Sequence, residues 1–159
     1  RKAAAARAVA IARAEGWNDS RTGFALFALG RLSLKDDPQA ALSAFRAAGA
    51  IFRATPGAAV QAAHVDMQLA ALALSSGRPA EARALSARAI PPARAAENAA
   101  LTATLFMIRA EACAALGAGA RAAWLASQHW ARYGFGSDAA VRARATEVAA
   151  LAEAGAQLN

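Results

Sequence analysis

An all-α fold of about eight helices, stacked hairpin on hairpin, is predicted by three features of this 159-residue chain. First, 57% of the residues are hydrophobic yet only 6% are aromatic. The apolar content is mostly alanine, the strongest helix former and a side chain that lets helices approach closely. Second, proline and glycine cut the chain into segments of helical length. Third, a helix-breaking turn leading into an alanine-rich segment recurs about every 40 residues, at Asp36-Asp37-Pro38-Gln39-Ala40-Ala41, Gly77-Arg78-Pro79-Ala80-Glu81-Ala82 and Gly117-Ala118-Gly119-Ala120-Arg121-Ala122. A fixed period of this size marks a helical solenoid, in which each hairpin buries its apolar face against the next.

The opening helix, about 2–15, carries Ala3, Ala6, Ala10 and Ile11 along one stripe and ends at Gly16. Asp19 or Ser20 caps a second helix reaching about residue 34, with Phe24, Phe27 and Leu34 among its apolar residues. Asp37 is the expected N-cap of the third, and Pro38 suits its first turn, where the missing N–H has no intrahelical partner anyway. Pro56-Gly57 ends that helix near Thr55. The fourth, about 58–75, stops at Ser76-Gly77, and the fifth starts at Pro79. Pro91-Pro92 is expected to interrupt or kink it, because a proline ring clashes with the preceding turn. A sixth helix, about 97–116, has Leu101, Leu105, Ile108 and Ala112 at helical spacing, and a seventh runs over about 119–133. After the break at Gly134-Phe135-Gly136, Ser137 or Asp138 caps a last helix with Val141, Val148 and Leu151 on its apolar stripe. The expected organisation is one helical-repeat domain over 1–159: residues 1–16 as the second helix of a partial repeat, hairpins at 20–55, 58–95 and 97–133, and a capping helix at 137–155.

The repeat has a register. Gly30, Ala70 and Ala110 stand 40 apart, as do Phe27, Met67 and Met107; Ala41, Ala82 and Ala122 are spaced by 41 and 40. Ala48 and Ala89 follow in the second helices, with His129 at the next equivalent position. Ala3 and Ala10 each lie 38 before Ala41 and Ala48, so the chain starts with a second helix. Small residues recur where helices must approach closely and larger ones recur beside them. This pattern resembles the tetratricopeptide repeat family over residues 1–133, in a divergent form whose period exceeds that family's standard 34 residues and is similar to that of bacterial regulators and adaptors.

The resemblance implies a right-handed superhelix with a concave groove lined by first helices and a convex back of second helices. It also implies binding of a peptide or protein partner without catalysis. Carried over residue by residue, it places Phe24, Phe27, Arg31, His64, Met67, Thr104, Met107 and Glu111 towards the groove. Methionines and aromatics there make an adaptable apolar surface; the competing expectation is that Phe27, Met67 and Met107 pack between repeats. Trp124, Trp130 and Tyr133 form a second aromatic patch, suited to docking the last helix or anchoring a partner. An opening helix without its own partner leaves an apolar face for self-association or for another molecule.

Composition narrows the remaining classes. The 18 basic residues, 16 of them arginine, exceed the 11 acidic ones by seven. Arg46, Arg53, Arg83, Arg88, Arg94 and Arg121 fall on second helices, and if they formed one stripe the alternative would be a helical-repeat domain binding RNA or another polyanion on its convex face. Their dispersal and the interspersed Glu81 and Glu97 favour the protein-binding reading. No catalytic motif, metal spacing or cofactor loop is present: His64 and His129 are the only histidines, and Cys113 is the only cysteine. The longest run without a charged residue, Ala54 to Val65, is twelve residues and too short to span a bilayer. The chain is expected to be soluble, with a cytoplasmic setting slightly favoured over a periplasmic one.

Overall fold

The computed structural model describes residues 1–117, 119–121, 123–125 and 127–128. Among these there is no strand, and six complete helices follow one another: α1 (Lys2–Ala14), α2 (Ser20–Ser33), α3 (Pro38–Ala54), α4 (Ala59–Ser75), α5 (Pro79–Ala95) and α6 (Ala99–Ala115). Further helical residues lie at 120–121, 123–125 and 127–128. The expected helix at 137–155, with His129, Trp130 and Tyr133, lies outside the described residues. The chain divides into two compact units, Arg1–Leu69 and Ala70–Asn159, with the boundary inside α4.

Punctuation acts where local chemistry requires it. Asp19 accepts hydrogen bonds from the Arg21 and Thr22 backbone N–H groups at 3.0 and 3.2 Å and so caps α2. The Arg21 side chain grips the same carboxylate at 2.6 Å, and this holds the Asp19 carboxyl below the ordinary aspartate range. Asp37 caps α3 through the Ala40 N–H at 2.9 Å, with Pro38 in the first turn. The expected interruption at Pro91-Pro92 does not occur: α5 continues to Ala95 with both prolines inside it. They sit in its last turns and, lacking N–H groups, cannot donate to the carbonyls of residues 87 and 88 four residues back.

Helix ends in the second unit share one device. Gly77 takes φ 69° after α4, and the next residue, Arg78, donates its N–H to the Ala73 carbonyl at 2.8 Å. After α5 the same turn is made by Glu97 at φ 53°, with Asn98 N–H on the Ala93 carbonyl at 3.1 Å. Asn98 then caps α6 through the Leu101 N–H at 3.0 Å, so one residue closes a helix and opens the next.

Packing follows the small-residue register. Ala41, Ala48, Ala70, Ala82, Ala89 and Ala110 are each no more than 1% exposed, and Gly30 is buried. In the first unit α1 packs on α2 and α2 on α3. The second contact is built from two glycines on α2 and two phenylalanines on α3, each pair seven residues apart and matched in antiparallel order. A Cβ on Gly23 would stand 2.8 Å from the Phe52 ring, and one on Gly30 would stand 2.7 Å from the Phe45 ring. The bare backbone of α2 thus receives the two rings, which are among the largest fully or almost fully buried side chains of the chain. Burial of such a ring contributes about 1.5–3 kcal/mol.

Across α3, Gly49 faces Val65 of α4, and Arg53 pairs with Asp66 at 3.2 Å. Asp66 is only 2% exposed, so this arginine serves the interior rather than a free basic surface. In the second unit α5 packs on α6, and the buried Ser127 hydroxyl donates to the Ala103 carbonyl at 3.1 Å.

Candidate functional site

The glycine-phenylalanine packing leaves a second set of aromatic rings at the surface of the first unit. Phe24 stands edge-on to Phe52 with ring centroids 5.1 Å apart, and Phe27 lies tilted on Phe45 at 5.6 Å. Each buried ring of α3 therefore seats in α2 and braces a neighbouring α2 ring. Phe24 remains 52% exposed although its ring is supported.

These rings form part of a groove of about 360 Å³, lined by Phe24, Phe27 and Arg31 of α2, Phe52 of α3, and Gln61, His64, Met67 and Gln68 of α4. The volume is that of a small ligand pocket and takes one or two large side chains. The helical periodicity explains the lining. On α2 the groove residues are at i, i+3 and i+7, and Gln61, His64 and Gln68 repeat the same spacing on α4, so each set lies on one helix face.

Of the lining residues, only Arg31 and His64 are ionisable. Arg31 is exposed and makes no ion pair among the described residues. Half-burial, with the Arg31 guanidinium as the second cause, pushes the His64 imidazole below its ordinary value, so it is neutral near pH 7. The Gln61 Oε1 is buried with no hydrogen-bond partner among the described residues. An unsatisfied acceptor of this kind costs about 1–3 kcal/mol until a donor reaches it.

Five of the residues expected at a groove are thus brought together: Phe24, Phe27, Arg31, His64 and Met67. The other three belong to α6 in the second unit. The Thr104 hydroxyl donates to the Ala100 carbonyl at 2.9 Å, Met107 is 2% exposed, and Glu111 is half-buried. Trp124 is half-buried against Ala110, Cys113, Ala120 and Ala123, and its Nε1 has no hydrogen-bond partner among the described residues. On α1, Val9 and Ala12 are buried while Ile11 is half exposed.

Sequence reasoning did not place Phe52, Gln61 and Gln68 at the groove. Phe52 is hidden from the sequence because the resemblance puts α3 wholly on the back of the hairpin. The signal that finds it is the seven-residue spacing shared by Gly23 with Gly30 and Phe45 with Phe52. Among the described residues no group of three His, Cys, Asp or Glu could hold a metal ion, and no helix is long and apolar enough to cross a membrane. No protein family, no curated protein and no solved structure matches the chain.

Proposed function

We propose that the chain is a non-enzymatic, tetratricopeptide-like interaction module of the bacterial adaptor kind, and that its first unit holds a peptide segment of a protein partner in the groove lined by α2 and α4. On this reading its hairpins belong to a right-handed superhelix of about eight helices, with the groove on the concave side. The observation that carries the proposal is the pair of surface rings, Phe24 and Phe27, each braced by a buried ring of α3. A ring already fixed in position loses little freedom when a ligand covers it, so apolar contact there converts into affinity with a small ordering cost. Met67 beside them adapts to side chains of different shape.

Selection of a display library of random, end-capped peptides of about 12 residues on the whole chain tests this reading. The expected result is enrichment of peptides rich in bulky apolar residues. Their capture should fall at least roughly tenfold in a Phe24→Asp, Met67→Glu double variant. The helical circular dichroism should stay unchanged, because Phe24 is exposed and Met67 only partly buried. Equal capture by a folded double variant would remove the groove from the function.

A further inference from the structure

We infer that the groove takes a peptide segment carrying a carboxylate side chain next to a bulky apolar one, with the apolar side chain on Phe24, Phe27 and Met67 and the carboxylate on Arg31. This rests on the reading of the groove as a peptide site and adds the chemistry of its occupant. The first ground is charge. None of the eight lining residues is acidic, and one is an arginine. Three other cations of the first unit are engaged, Arg21 with Asp19, Arg53 with Asp66 and Lys2 with Asp36, whereas Arg7, Arg13 and Lys35 have no ion pair among the described residues and do not line the groove. Arg31 has no such partner among the described residues, and it stands beside an apolar floor that weakens the screening of its charge. A planar guanidinium there matches a carboxylate with two parallel hydrogen bonds.

The second ground is the apolar floor beside it: the Phe24 and Phe27 rings, braced by Phe52 and Phe45, with Met67 lining the same groove. A peptide with an acidic and an apolar side chain close together thus meets two separate features of the groove, the unpaired cation and the braced rings.

The test takes a peptide from the capped library and synthesises it with its acidic residue and with the matching amide, Glu to Gln or Asp to Asn. The acidic form should bind the whole chain roughly tenfold more tightly than the amide form. That preference should drop below about twofold in Arg31→Gln, a change at an exposed position. Equal binding of acid and amide forms overturns the carboxylate assignment while leaving the groove reading intact, provided capture still fails in Phe24→Asp, Met67→Glu. Capture that survives in that double variant overturns both. Displacement of the peptide by an oligouridylate, with a steep dependence on salt, would put a polyanion in its place and likewise overturn the assignment.

Discussion

Replacing Gly30 with alanine is expected to lower the stability of the first unit by about 1–3 kcal/mol, although alanine in a helix interior is intrinsically better than glycine by roughly 1 kcal/mol. The two effects have opposite sign, and geometry decides between them. The added methyl would stand 2.7 Å from two atoms of the Phe45 ring and 3.1 Å from a third. Phe45 is fully buried and leans on Phe27, so the ring cannot turn away without disturbing the groove. Overpacking therefore outweighs propensity. The diagnostic is a change of sign in a double-mutant cycle. With Phe45→Leu as background, where the ring edge is gone, Gly30→Ala should become neutral or stabilising. Urea unfolding followed by circular dichroism reads both. A stabilised Gly30→Ala in the otherwise unchanged chain would show that α2 and α3 do not meet backbone to ring.

Truncating Phe52 to alanine is expected to cost about 3–5 kcal/mol, a large fraction of the stability of a small domain. The ring is 2% exposed and fills the space over Gly23, where no side chain of α2 can replace it. Phe24→Ala should cost only about 1 kcal/mol, since Phe24 is 52% exposed and loses mainly its edge-on contact with Phe52. Their effects on peptide capture should differ the other way: Phe24→Ala lowers capture by roughly several-fold in a folded protein. Phe52→Leu preserves folding and weakens capture, because Phe24 loses its brace. If Phe52→Ala and Phe24→Ala were equally destabilising, the division into a supporting ring and a presenting ring would be wrong.

The helices were legible because their ends are chemical events. Asp37-Pro38 and the glycines at 16, 77 and 117 fix starts and stops in the sequence, and the structure places the boundaries within a few residues of them. Pro91-Pro92 was the exception: proline is read as a breaker wherever it stands, yet α5 carries both rings and continues to Ala95. Glu97 shows the same limit from the other side. It adopts a left-handed conformation that glycine would advertise, and its residue type gives no sign of it.

The groove was legible in part. Helical spacing from Phe24 through Arg31 marks one face of α2, and the 40-residue register carries that face to His64 and Met67. The same register pointed to Met107, which is buried instead, because a repeat fixes which helix face a residue shares and not how deeply that face is covered. Phe52 was missed for a related reason. Its role depends on a contact between two helices, and a pattern read along one helix does not contain its partner.

Photo-crosslinking on the whole chain locates the bound peptide, using a library-selected peptide in which benzoylphenylalanine replaces the apolar residue. Adducts are expected on Met67, Phe24 and Phe27, suppressed by excess unlabelled peptide. Adducts confined to Ile11, Trp17 or residues of the second unit, with the groove residues unmodified, would contradict it.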